Sequence, residues 1–421
     1  MVWLYVICIS CLFIYTIFRK IDFLSFAAFS FIIYTMPCLA GKVWIRGYNQ
    51  YYYYSAISNQ LYSIICMQLV LTLLYLMFYD FRKRYLLAKK KLVNESNDSQ
   101  EINNKYNNDK KEKWICTCFK ILLIIVYAST IKNIYTIGIS NLSLHKSKII
   151  AEMSSFYTTS VIAAIVIFIY AYKNKKKYLK LFSLPIVLLN LFIGSRALIT
   201  TLFVSLFVIN SNRLQEKSKG KIKYLIIGIV ALFFILLYKQ IYILVKLGDW
   251  HAVFDTLINY DTYIKAVTPV DSTINISIYN YIIDYKYFLE GNDVLGRLVS
   301  FIPFVNNYID VSHSLRFSQI LKNEIFHSSY GLASCIWAEV YAMFGIIGIF
   351  IFQLLWLRLL EWGNKHIYSL KTSVYFILPT IAYLSFYIHR LDYLQVFGIM
   401  KSMLMIYLIW LSIYKMGVIK K

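Results

Sequence analysis

Long apolar runs, separated by short lysine-rich or tyrosine-rich stretches, recur from one end of the chain to the other. Runs of about 20 residues are what a helix needs to cross a hydrocarbon core of about 30 Å. In lipid such a segment must be an α-helix, because no backbone group can be left unpaired. The pattern predicts eleven spans: about 2–18, 22–40, 59–79, 114–132, 156–172, 179–193, 197–210, 224–244, 333–357, 372–388 and 394–413. The expected fold class is therefore all-α, a single polytopic membrane domain over residues 1–421. No stretch between the spans is large enough to form a separate soluble domain.

The apolar stretch 181–210 carries more information than its length alone. As one helix its 30 residues would be about 45 Å long, too long for the core. Both its flanks are basic, "KNKKKYLK" at 173–180 and "NRLQEKSKGKIK" at 212–223. Two ends on the same side require a hairpin, with Gly194-Ser195 at the turn. Each arm then has roughly 15 residues and reaches about 22 Å, so Arg196 is recessed below the far headgroups. An arginine at that depth is costly. Two readings stand: it faces a protein cavity or an anionic ligand, or it snorkels to lipid phosphates.

Charge sets the orientation. The chain carries a net charge of +23 with 59% hydrophobic residues. In a soluble protein this balance points to nucleic acid, but here the lysines mark cytoplasmic loops and no nucleic-acid partner is expected. The stretch 80–113, with "FRKRYLLAKKK" and "DKKEK", reads as a basic cytoplasmic loop. With the tail "VIKK" on the same side, the alternation of spans puts the N-terminus outside and the C-terminus in the cytoplasm. Residues 247–330 then form a large extracytoplasmic loop with nine acidic residues against five Lys or Arg. Its wealth of Tyr, Ile and Phe predicts short amphipathic helices on the outer face. The seven cysteines all lie in or beside apolar segments, so no disulfide is expected. The N-terminus has no basic residues before its apolar run and reads as a first span rather than a cleaved leader.

Candidate chemistry gathers towards the outer side. In "NEIFHSSYGLASCIWAEVYAMFGIIGIF", 323–350, His327 lies just outside the ninth span and Glu339 about two turns inside it. A carboxylate inside a membrane is a functional candidate by default, or it holds helices together through an ion pair. Histidine as a residue type titrates near neutrality, so His327 is a candidate general base. Gly345 and Gly348 suggest close helix packing. Arg297 and Arg316, with His313 beside the latter, offer guanidinium forks that match phosphate oxygens. "YIHRLDY", 387–393, adds Arg390 and Asp392, which either bind ligand or pair with each other. Lys401 either snorkels outward or pairs with Glu339. No outer loop has a His/Asp/Glu set at metal-ligand spacing. No phosphate-binding loop or dinucleotide fingerprint is present, so neither metal nor cofactor is expected.

Three of these stretches, in order, resemble the bacterial oligosaccharide repeat-unit polymerases, the Wzy-type polymerases of O-antigen and capsule synthesis. "IGSRA" (193–197) is similar to the family's glycine-serine-arginine turn. "FLEGNDVLGRLVSFIPF" (288–304) is similar to its glycine followed by Phe-Ile-Pro in the large outer loop. "HSSYGLASCIWAEVYAMFGIIG" (327–348) is similar to its acidic residue, aromatic and spaced glycine pair entering a span. Where the family often has an arginine after Phe-Ile-Pro, this chain has Phe304, so that role falls to Arg297 or Arg316 or is lost.

The resemblance implies a membrane glycosyltransferase-like fold and an undecaprenyl-diphosphate-linked oligosaccharide as both donor and acceptor. The growing glycan moves to a sugar hydroxyl of the next carrier, with lipid diphosphate as leaving group and no metal or nucleotide. It also implies a chain-length regulator as a common partner and the bacterial cytoplasmic membrane as location. On this reading Arg196, Arg297, Arg316 and Arg390 bind diphosphate, and His327 and Glu339 are the catalytic candidates. The rival reading is a flippase for the same lipid-linked oligosaccharide. That function has less need of an 84-residue outer loop, and it wants charge along a path through both leaflets.

Overall fold

The computed structural model describes residues 1–46, 51–93, 105–138, 141–142, 149, 152–214, 230, 234, 237–238, 240–267, 270–299, 302, 317–328, 332, 334–367, 369 and 371–419. Helices occupy ten of the eleven expected spans: α1 Val2–Phe18, α2 Phe23–Thr35, α3 Asn59–Val93, α4 Lys105–Ile137, α5 Ser155–Lys173, α6 Lys177–Phe192, α7 Ala197–Leu214, and α13 Ile336–His366, α14 Thr372–Tyr387 and α15 Tyr393–Ile419 near the C-terminus. The remaining span, 224–244, lies largely outside the described residues, and 240–247 are helical. Six helices among the described residues are long and apolar enough to cross a membrane, with shorter apolar helices beside them.

Burial orders the bundle. The most apolar windows of Phe23–Ala40 and Phe156–Lys173 are each 72% buried, against 28% for Tyr393–Met416. The first two are therefore central and the last lines the rim. Helix α14 packs against α2, α5, α7 and α15, and α5 against α4 and α6. Aliphatic side chains such as Leu74, Ile124, Ile131 and Leu181 remain exposed on the outside of the bundle, as a lipid-facing surface requires. All seven cysteines are free thiols.

The predicted hairpin is present. Helices α6 and α7 meet at Gly194, whose φ of +102° only glycine adopts without strain. A Cβ there would also lie 2.7 Å from the Tyr242 ring. Asn190 closes the turn by donating from Nδ2 to the Ser195 carbonyl (3.2 Å).

Three expectations need correction. The first is the all-helical chain, because Lys42–Arg46 (β1) and Tyr51–Ala56 (β2) form an antiparallel ribbon. Its alternation is visible in hindsight: Val43 and Ile45 are buried while Trp44 between them is exposed, the period-2 pattern of a half-buried strand. The second concerns the large loop. It contains the expected short helices α8 Trp250–Ile258, α9 Tyr260–Val267 and α11 Gly291–Val299. Helix α10 Val270–Asp284, however, packs inside against β1, α2, α3 and α13 rather than lying on the face. Its polar side chains are paired there, Ser277 Oγ donating to the Trp44 carbonyl (2.9 Å) and Asn280 Oδ1 accepting from Ser58 N–H (2.9 Å). A four-residue helix, α12 Phe317–Ile320, and a π-helical turn Leu321–Ile325 follow.

The third correction concerns the glycine pair. Gly345 sits at φ +66°, ψ −161° and breaks α13. Nothing lies within 4 Å of a Cβ built on it, so this glycine serves a backbone break and not a close approach. A Cβ on Gly348 would clash with Phe344 across the same break.

Candidate active site

The first half of α13 is apolar and completely buried from Ile336 to Ala342. Glu339 is the exception in character, and it is 0% exposed. It lies in the first turn of the helix, where the macrodipole favours a carboxylate. Its Oε1 accepts from Arg297 Nε at 3.0 Å, and both side chains are wholly buried. Its Oε2 accepts from the backbone N–H of Tyr393 at 2.6 Å. One carboxylate thus joins the large loop to the N-terminus of the last helix. Lys401, a possible partner by spacing, does not take that place. Arg297 is in the last turn of α11 and also donates to the Asp293 carbonyl (3.2 Å). The Leu289 N–H, just before α11, donates to the Ala342 carbonyl (2.9 Å), one turn before the break at Gly345.

The turn between α14 and α15 supplies the next layer. Asp392 caps α15 by accepting from Gln395 N–H (2.7 Å), and Gln395 accepts in return from Asp392 N–H (3.3 Å), the reciprocal pattern of a capping box. His389, which sequence reasoning passed over, is 2% exposed at the centre of this turn. Its Nδ1 accepts from Trp337 Nε1 at 2.7 Å. Its ring stacks on Phe31 (4.9 Å, 15°) and Tyr34 (5.4 Å, 25°). Burial pushes its pKa down to about 3, so the ring is neutral with the proton on Nε2. Asn275 of α10 donates to its carbonyl (3.0 Å). The only sequence signal for His389 was its place beside Arg390 in "YIHRLDY". Its aromatic box comes from α2 and α13, and spacing does not reveal that.

Arg196 lies at the edge of a cavity of about 230 Å³ but does not itself line it. Its neighbours Ser195 and Ala197 line that cavity, with Tyr157, Asn190 and Tyr383 opposite or alongside. Arg196 is half-buried and within electrostatic reach of Tyr242. Tyr383 also senses the charges of Arg390 and Asp392. Tyr387 donates to Thr200 Oγ1 (3.1 Å), fixing α14 to α7. Lys246 reaches the same turn through the Ile193 carbonyl (3.0 Å).

The structure therefore puts Glu339 and Arg297 in contact, with Asp392 within electrostatic reach of Glu339. Arg196 sits at the α6–α7 turn, beside a cavity whose lining includes none of these three. His327 is placed differently. It is exposed, at φ +45°, after the π-helical turn and nine residues before α13 rather than at a helix start. Among the described residues no hydrogen bond or ion pair joins it to Glu339. Tyr287, whose pKa is raised by burial and then by Glu324 and Asp293, sits within reach of both Glu324 of the π turn and Arg297. Phe326, next to His327, packs on Tyr53 and Tyr281. Arg316 and His313 lie outside the described residues.

A many-helix bundle with a large, partly helical loop tied to it by a buried ion pair is the architecture of a polytopic membrane protein. The chain belongs to the O-antigen polysaccharide polymerase Wzy family, whose model matches residues 1–419. Members polymerise O-antigen repeat units carried on lipid, and this chain is accordingly a multi-pass membrane protein of that class. No curated protein and no solved structure matches it.

Proposed function

We propose that the chain joins lipid-diphosphate-linked oligosaccharides on the outer face of the bacterial cytoplasmic membrane, with the lipid diphosphate leaving and no metal taking part. The observation that carries this reading is the buried Arg297–Glu339 pair, which joins the large loop to the starts of α13 and α15, in a chain whose family polymerises O-antigen units. A hydroxyl oxygen of the acceptor sugar forms a bond to the anomeric carbon of the donor glycan. The bond from that carbon to the diphosphate oxygen breaks, and the electron pair leaves with the lipid diphosphate. Arg196 and Arg390 stabilise that developing charge through preorganised donors. His327 takes the acceptor proton from the exposed side of the loop. Glu339 is a positioning residue: it holds Arg297 and the start of α15 in register. Arg316 belongs to the same diphosphate-binding set.

The basic flanks orient the molecule with its N-terminus outside and the C-terminus in the cytoplasm. The large loop offers a surface for a chain-length regulator. The family match favours this reading over a flippase. The test supplies purified lipid-linked repeat unit in vesicles with the protein. A ladder of longer glycans that persists in a chelator supports the proposal. Movement of the lipid between leaflets without a ladder, or a ladder that needs added divalent metal, overturns it.

A further inference from the structure

Helices α3 and α13 run parallel from the candidate site to the opposite end of the bundle. Gln353 Nε2 pins them by donating to the Gln68 carbonyl (2.7 Å) and to Thr72 Oγ1 (2.8 Å). Further along, the Tyr75 hydroxyl donates to the Glu361 carboxylate. Beside that contact the helices part to leave a cavity of about 400 Å³. Its walls include Phe78, Ile351, Leu354 and Leu355, all of which are exposed. It is a carbon-lined slot open to the lipid side.

The head of the slot is charged. Arg358 reaches Glu361 at 2.8 Å, Arg82 reaches it at 4.0 Å, and Lys365 is ion-paired to it as well. Three cations share one buried carboxylate, which leaves a charge of +2 at the mouth of an apolar slot. The Arg82 and Arg358 side chains are 46% and 60% exposed, so each guanidinium keeps a face outside the cluster. Glu361 sets their spacing without neutralising them. Helix α3 continues through "FRKR" at 81–84, with Lys83 over the Tyr79 ring at 5.9 Å. Basic side chains immediately beyond a span attract anionic headgroups, and arginine forks bind phosphate oxygens in pairs.

We propose that this slot binds one anionic phospholipid, with an acyl chain between α3 and α13 and its phosphate held by Arg82 and Arg358. The occupant is a phospholipid rather than the polyprenyl carrier, because the diphosphate-binding arginines lie at the other end of the bundle. Bound there, the lipid neutralises the excess charge and fills the gap between the two helices.

The test uses the full chain in nanodiscs of equal phosphatidylglycerol and phosphatidylcholine with matched acyl chains. Lipids retained after detergent release are counted by native mass spectrometry. The expected result is one tightly held phosphatidylglycerol per chain, retained over phosphatidylcholine by about tenfold. The pair Arg82→Gln and Arg358→Gln should bring the ratio to parity. Leu355→Trp, which fills the slot and leaves the charges intact, should lower retention of both lipids. Equal retention by the wild type overturns the proposal. So does unchanged retention in Leu355→Trp, or a retained polyprenyl phosphate in place of phosphatidylglycerol. If the double glutamine variant fails to fold, the wild-type ratio and Leu355→Trp still decide. None of these readouts depends on glycan transfer.

Discussion

Two buried arginines, one at each end of the bundle, solve the same electrostatic problem in opposite ways. Arg19, between α1 and α2, uses every N–H of its guanidinium. It donates twice to Asp22 (2.7 and 3.2 Å), twice to Asp80 (3.1 and 3.0 Å) and once to Ser25 Oγ (2.8 Å). Burial works against its charge, and the two carboxylates outweigh that and raise its pKa. Asp22 also caps α2 through Ser25 N–H. With one cation against two anions, this node is a closed, slightly negative clasp. Arg297 meets the Glu339 carboxylate at 3.0 Å and the Asp293 carbonyl at 3.2 Å. The ion pair sets one cation against one anion, and through the second oxygen of Glu339 it also reaches the Tyr393 N–H of α15. A closed clasp anchors helices to one another, whereas this single buried pair fixes the large loop, with its candidate residues, to the bundle.

The comparison is open to direct attack. The largest effect is expected at His327, where His327→Ala should slow ladder formation by roughly 10²–10⁴-fold while lipid-diphosphate binding stays near wild type. Normal polymerisation by that variant moves the base elsewhere. Next, Arg297→Ala should destabilise the protein by about 3–5 kcal/mol, because it strands the Glu339 charge. Pairing Arg297→Met with Glu339→Leu should restore most of the melting temperature in detergent without restoring the ladder. A double variant that polymerises normally would make this pair another structural clasp.

Arg196→Lys keeps the charge and loses the fork, and a drop of roughly 10–10²-fold in ladder formation is expected at unchanged melting temperature. Silence in that assay would make Arg196 a structural anchor. A smaller effect comes from His389. Its pKa is depressed in the folded state, so the unfolded chain binds more protons between about 6.5 and 3. Stability is then intact above pH 6.5 and falls below it by up to about 1.4 kcal/mol per unit. His389→Gln should flatten the fall in melting temperature between pH 6.5 and 5, and an unaltered slope would refute the buried neutral ring. The mildest expectation is Arg19→Lys, a loss of about 1–3 kcal/mol from broken charge-assisted hydrogen bonds. Ladder formation per folded molecule should be unchanged. A loss of turnover there would erase the distinction between the two ends.

Much of this contrast was legible before folding, but unevenly. The helices follow from the apolar runs, and the hairpin at Gly194 follows from counting residues between two basic flanks. Arg19 and Asp22 are three residues apart. Arg297 and Glu339 are separated by 42 residues, and Tyr393 lies 54 beyond that, so single-residue reasoning flagged each group and left their pairing open. Helix α10 was misplaced for a related reason. Its Ser, Thr and Asn side chains look solvent-facing until the ribbon and the turns bring backbone partners to them. His389 was hidden because its environment is aromatic and comes from other helices.

The bond from Tyr393 to Glu339 also fixes an order of assembly. During synthesis Arg297 emerges first, Glu339 follows with α13, and the donor for its second oxygen arrives only with the last helix. Until then a buried carboxylate is half-served in lipid, where an unmet polar group is expensive. The end of the molecule proposed to do chemistry is thus completed only when α15 is made, and a chain that stops before Tyr393 lacks the latch that holds Glu339.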